Sequence, residues 1–221
     1  MVTGRGKRAL EDHFDISYEL EDQIEGSTKE ALLTGIRSII RRATFSYTRQ
    51  IEMKGLGHAI LTGESLIGAE PFAVILADDL CLNDDQGVLA QMVELYRQEQ
   101  CSIVAVEEVP ENETNKYGIV SGQALSDQVV QVESMVEKPD PADAPTNLAV
   151  IGRYILTPDI FDILRDLPPG RNNEIQLTDA LNEQAQAGRV LAYRFKGQRF
   201  DCGSIEGFVA ATQQVYQSEF Q

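Results

Sequence analysis

A chain of 221 residues, 43% hydrophobic and 24% charged, has globular composition and enough length to enclose one sizeable core. Its formal net charge of −16 excludes attraction to nucleic acid or anionic membrane through the overall field. An anionic ligand would therefore need locally placed cations, backbone amides or a metal ion. No stretch approaches the roughly 18 apolar residues of a membrane-spanning helix, and the start, Met1 to Arg8, lacks an apolar signal-peptide core. Cys81, Cys101 and Cys202 have no metal or redox spacing, which fits inert thiols in a reducing cytoplasm.

In chain order, Val2-Thr-Gly-Arg-Gly-Lys7 reads as a strand end running into a loop, with no strand before it. Lys54-Gly-Leu-Gly-His-Ala59 stands before a predicted helix. Its glycines would admit a flat or anionic ligand close to the backbone, although an ordinary turn uses the same residues. His58 reads as a structural histidine unless a partner orients it for base work. Phe72 to Ala77 is a continuous apolar run, expected to be a strand buried on both faces of a parallel sheet. Val88, Leu89, Met92, Leu95 and Tyr96 then mark one face of a helix, and Ser102 to Val106 the next strand. Strand, helix and strand in this order predict a βαβ unit and an α/β class.

Further strands are expected at Val129 to Glu137 and Leu148 to Ile155, separated by the turn-rich Lys138 to Pro145. Thr157-Pro158 suits the N-cap and first turn of a helix running to Leu164. Asn172 to Ala187 is expected to be helical, and Leu191 to Phe200 a strand. The last helix places Ile205, Phe208, Val209, Thr212, Val215 and Tyr216 on one side. With no internal repeat and no long linker, residues 1–221 form one predicted domain.

Chemistry in an open α/β sheet belongs outside the carboxyl ends of its strands. There the chain delivers Asp78 and Asp79 after one strand and Asp201 after another. Two such carboxylates can share a hard cation such as Mg²⁺, or can simply cap the helices that follow. Glu137-Lys138-Pro139 pairs a carboxylate suited to sugar hydroxyls with an ammonium suited to phosphate. Adjacent strand residues face opposite ways, but the turn before Pro139 can bring both to one pocket; a solvated ion pair is the plainer alternative.

Taken together, these segments form an ordered set: Val2 to Asp15, Gly55-Leu-Gly-His-Ala59, Leu76-Ala-Asp-Asp79, Tyr117-Gly-Ile-Val120, Val136-Glu-Lys-Pro139, Asn147 to Tyr154, Glu174-Ile-Gln-Leu-Thr-Asp179 and Phe200-Asp-Cys-Gly203. The set resembles bacterial UTP–glucose-1-phosphate uridylyltransferases over essentially the whole chain. The Glu174 motif and the Gly55 segment separate that family from the related thymidylyltransferases. The resemblance implies a Rossmann-like, mixed, mostly parallel sheet of the sugar-nucleotidyltransferase type, and formation of UDP-glucose and pyrophosphate from UTP and glucose 1-phosphate with Mg²⁺. It implies uracil contacts at Gln50 and Gly55, metal ligands at Asp78 and Asp201, glucose contacts at Gly118, Glu137 and Val150, and a sugar-phosphate contact at Lys138. It also implies a cytoplasmic homo-oligomer. Family members carry an earlier strand and a Gly-x-Gly-Thr-Arg loop that cradles the triphosphate, followed by a Pro-x-x-Lys segment. Neither occurs in these 221 residues, so impaired turnover is expected of the chain as it stands. A non-catalytic sugar-nucleotide-binding remnant and a related thymidylyltransferase are the alternative readings.

Overall fold

The computed structural model describes residues 1–220; of these, the side chains of Leu32, Ile36, Arg171, Glu219 and Phe220 are outside the description. In chain order the elements are β1 (Val2–Thr3), α1 (Arg8–His13), α2 (Tyr18–Ile24), α3 (Glu30–Arg42), β2 (Thr48–Arg49), α4 (Gly55–Ile67), β3 (Phe72–Ile75) and β4 (Asp79–Leu82). They continue as α5 (Val88–Glu99), β5 (Ser102–Glu108), β6 (Gly118–Ala124), β7 (Val129–Glu137), β8 (Leu148–Leu156) and α6 (Ile160–Asp166). The last are α7 (Leu177–Gln186), β9 (Val190–Arg194), β10 (Gln198–Asp201) and α8 (Ile205–Phe220). No described helix is long and apolar enough to cross a membrane.

Six strands form the main sheet in the order β3-β8-β5-β9-β7-β6, while β1 pairs with β2 and β4 with β10. The alternation of β5 shows why this is a three-layer core. Val104 and Val106 join the cluster beneath α4, α6 and α7, whereas Ile103 and Ala105 join the cluster beneath α5. β8 divides in the same way, with Tyr154 and Leu156 on the first side and Ile151 and Ile155 on the second. Strands buried on both faces are the natural centre of such a sandwich.

The sheet is mixed, as expected, but it is not mostly parallel. Within the six strands only β5–β9 is a parallel pairing; β3–β8, β5–β8, β6–β7, β7–β9 and β6–β8 are antiparallel. The reason lies in the connections. β6 and β7 follow one another without an intervening helix, and short connections between strands enforce antiparallel pairing. The expected βαβ unit is present in split form. β3 and β5 run the same way on either side of α5 in sequence, yet β8 lies between them in the sheet.

Four further expectations need correction. β3 is an edge strand: Phe72 and Val74 pack toward the large cluster, while Ile75 on the other face is 56% exposed. α5 covers β5 and β8 on that face and leaves Ile75 open. The helix expected from Asn172 begins only at Leu177, because Asn172 and Asn173 have φ of 59° and 61°, which no α-helix accommodates. The single strand expected from Leu191 to Phe200 is two, β9 and β10, divided at Gly197 with φ of 138°. The helix after Thr157-Pro158 starts at Ile160, with Asp159 in the N-cap position.

Candidate active site

β10 pairs with β4 so that Asp201 lies opposite Asp79, and the Cys202 N–H donates to the Asp78 carbonyl at 2.7 Å. These two ties carry the end of β10 to the turn between β3 and β4. A Cβ added at Gly203 would stand 3.0 Å from Asp201 Oδ1 and 3.5 Å from Asp78 Oδ2. The two carboxylates therefore converge on one small space, and a glycine keeps it open. Two carboxylates flanking such a cradle suit a hard divalent cation that takes its remaining ligands from phosphates and water. Among the described residues no group of three or more such ligands exists, so the protein would supply only part of the coordination.

On the opposite wall, Gly118 of β6 pairs with Glu137 of β7. Thr178, in the first turn of α7, donates to Glu137 Oε2 at 2.6 Å. A Cβ at Gly118 would come within 3.1 Å of Thr178 Oγ1 and 3.4 Å of Glu137 Oε2, so this floor is flat because its residue has no side chain. Lys138 has a φ of 46°, and its N–H donates to the Tyr117 carbonyl at 2.9 Å. This left-handed kink overrides the strand alternation and turns the ammonium toward the Glu137 carboxylate, 3.5 Å away. Val150 rises from the central strand β8. Asp78, Asp201, Gly118, Glu137, Lys138 and Val150 together line one cleft of about 330 Å³.

Gln50 and Gly55 do not line this cleft; they adjoin it. Gln50 Nε2 donates to the Gly55 carbonyl at 3.1 Å and to His58 Nδ1 at 2.9 Å. Both amide hydrogens are committed, so Oε1 is the atom left to accept from a ligand. Gly55 has a φ of 88°, and a Cβ there would lie 2.8 Å from the Glu174 Cβ. Glu174 itself lines the cleft, so Gly55 is one residue removed from it. The Gly57 N–H donates to the Ile175 carbonyl, and the Ile175 N–H to the Lys54 carbonyl, which locks the two motifs together. His58 has an amide partner rather than a carboxylate, in keeping with its structural reading.

Sequence reasoning missed the group that joins the two walls. Arg199, with a side chain only 7% exposed, donates to Asp79 Oδ1 at 2.5 Å, Glu107 Oε1 at 2.8 Å and the Tyr117 hydroxyl at 3.3 Å. Asp79 also accepts from the Gly152 N–H at 2.5 Å, so it serves the scaffold and is not a second metal ligand beside Asp78. Burial would lower the Arg199 pKa, but bonds to Tyr117 and Asp79 and the charge of Asp79 raise it further above its ordinary range. Burial pushes the Glu107 carboxyl up, and Arg199 only partly offsets this. One signal was available: Arg199 and Asp201 are two apart on a strand and so share a face.

The family model described as nucleotidyl transferase matches residues 10–218. A UTP–glucose-1-phosphate uridylyltransferase of Pseudomonas aeruginosa is 64% identical over 222 aligned residues, covering 100% of this chain and 80% of that protein. The crystal structure of an apo UDP-glucose pyrophosphorylase superposes with a TM-score of 0.95 at 60% identity, covering 99% of this chain and 81% of the other. A UTP-bound UGPase from Acinetobacter baumannii gives a TM-score of 0.88 at 35% identity, covering 100% of this chain and 78% of its own.

Proposed function

The chain belongs to the nucleotidyl transferase family, among its UTP–glucose-1-phosphate uridylyltransferases, and on that premise we propose that it forms UDP-glucose and pyrophosphate from UTP and glucose 1-phosphate. The observation that carries the proposal is the meeting, in one cleft, of an Asp78–Asp201 cradle with a Glu137–Lys138–Gly118 wall. Glu137 accepts from sugar hydroxyls, while flat Gly118 and apolar Val150 support the ring. Lys138 holds the sugar phosphate and offsets its negative charge as its oxygen attacks the α-phosphorus of UTP and pyrophosphate departs. Asp78 and Asp201 would hold Mg²⁺, which supplies charge neutralisation at the phosphates. Gln50 Oε1 suits an N–H of the uracil edge, with Gly55 giving the base room to approach. No protein nucleophile is needed. The same reading places the enzyme in the cytoplasm as a homo-oligomer, the compartment being supported by three free cysteines.

Calorimetric binding of UDP-glucose, UTP and glucose 1-phosphate should be measured beside pyrophosphate release in Mg²⁺. Lys138→Ala is expected to lower turnover more than it weakens UTP binding. Equal turnover in variant and parent would remove Lys138 from the reaction. UDP-glucose binding without pyrophosphate release would favour a non-catalytic sugar-nucleotide module.

A further inference from the structure

Tyr117 touches both halves of the cleft at once. Its carbonyl holds the Lys138 N–H, and the next residue is Gly118 of the sugar floor. Its hydroxyl donates to Asp201 Oδ2 at 3.5 Å and accepts from Arg199 at 3.3 Å, while the guanidinium lies 5.1 Å over the ring. Arg199 in turn approaches Asp201 Oδ2 at 3.8 Å and is anchored on its far side by Asp79 and Glu107. A displacement of the Tyr117 main chain by a ligand on Gly118 and Lys138 must therefore be felt at the Asp201 carboxylate through one phenol and one buried guanidinium.

We propose that Tyr117 and Arg199 are a positioning pair that couples the sugar-phosphate wall to the Asp78–Asp201 cation cradle, so that occupancy of either tightens the other. The proposal rests on the site reading above and adds a route between its two halves. Each group meets the conditions for such a role. The phenol has one hydrogen to give and lone pairs to receive, so it bridges Arg199 and Asp201 without leaving a polar atom unpaired. Arg199 has a planar, multiply anchored guanidinium, which fixes direction where a lysine ammonium would act as a point charge. Around this corner stand Asp78, Asp79, Glu107 and Asp201, with Arg199 bonded to Asp79 and Glu107, Arg153 on the Asp79 carbonyl and Lys116 in the same cleft. With Asp79 and Glu107 committed to Arg199, Asp78 and Asp201 are the pair that would take a divalent cation, and Arg199 bears on the direction of the Asp201 carboxylate.

Coupling between two sites is reciprocal and is measured as a ratio of affinities, independent of turnover. The 221-residue chain is titrated with Mn²⁺, followed by electron paramagnetic resonance, with and without saturating glucose 1-phosphate. The same cycle is run for Tyr117→Phe, which removes only the hydroxyl, and for Arg199→Lys. In the parent, the sugar phosphate is expected to tighten Mn²⁺ by about fivefold or more. In Tyr117→Phe the ratio should fall by at least half, while glucose 1-phosphate binds as well as before when no metal is present. Arg199→Lys should lower the ratio further and leave the chain folded. An unchanged ratio in both variants overturns the coupling and makes the pair purely structural. A parent that binds Mn²⁺ no better than Asp201→Asn overturns the cradle assignment itself, which is a different failure.

Discussion

Residues 8–42 and the cleft are built by opposite means. α1 and α2 bury no residue, and Leu10, Ile16, Tyr18, Leu20 and Ile39 are exposed. Among the described residues, the ties of this region include the half-buried Arg37–Glu21 pair, the stacked rings of Phe14 and Phe45, and the bonds of Thr3 and Tyr47 to Glu11. In the cleft the bonds join residues far apart in sequence, Gly152 to Asp79, Arg199 to Asp79 and Glu107, and Thr178 to Glu137. Local helix bonds suffice to shape a backbone. Holding two carboxylates against their mutual repulsion takes partners from several elements, each over-determining the others. The chemistry stands where that over-determination is greatest.

The largest break expected is at the cradle. Asp201→Asn, or Asp78→Asn, should lower Mg²⁺-dependent UDP-glucose formation by on the order of 100- to 1,000-fold, measured at saturating UTP and glucose 1-phosphate. A rate within twofold of the parent would refute the cradle.

Next comes the buried ion network against the half-buried pair near the surface. Arg199→Met leaves Asp79 and Glu107 without their cation, and should destabilise the chain by about 3–5 kcal/mol in urea unfolding. Arg37→Met removes the solvent-screened partner of Glu21 and should shift the midpoint far less. Similar shifts for the two would erase the distinction between the regions.

Gly118→Ala sharpens it on the sugar wall. The new methyl would crowd Thr178 and Glu137, so the KM for glucose 1-phosphate should rise roughly tenfold while that for UTP holds. Parallel changes in both constants would show that the floor does not read the sugar.

The smallest effect concerns Asp159, outside both regions. Burial alone would raise its carboxyl, but hydrogen bonds from Thr157, Gln184 and Arg189 and the charge of Arg189 hold it below its ordinary value. The folded state therefore binds this proton less tightly than the unfolded chain. Its stabilising contribution is complete above the unfolded value of about 3.9 and fades as pH falls through the depressed folded value. Asp159→Asn should flatten the acid limb of unfolding below about pH 4, with little change in shape above it. An unaltered acid limb would show that other carboxylates set it.

Local pattern was enough for many elements. β7 spans Val129–Glu137 as the alternation predicted, and α5 begins at Val88, where the apolar face starts. The same reasoning failed at Asn172, where two consecutive left-handed residues delay α7. For α8 the spacing put Ile205, Phe208, Val209 and Tyr216 on one side, and in the structure these four are exposed. Periodicity says which residues share a face and nothing about what, if anything, lies over it.

The sequence by itself determined the α/β class and the ordered motifs that resemble the family and, through that resemblance, six residues that meet in the cleft: Asp78, Gly118, Glu137, Lys138, Val150 and Asp201. Class and motifs are properties of short segments, which a family match can read in order along the chain. Tertiary structure alone decided that β8 enters between β3 and β5, that Asp79 turns inward to Arg199 while Asp78 turns to the cradle, and that Tyr117 reaches Asp201. Each of those choices depends on which strand pairs with which across 40 or more residues. Pairing of that range is settled by burial of whole faces and by satisfaction of buried charge, quantities that no local window of sequence contains.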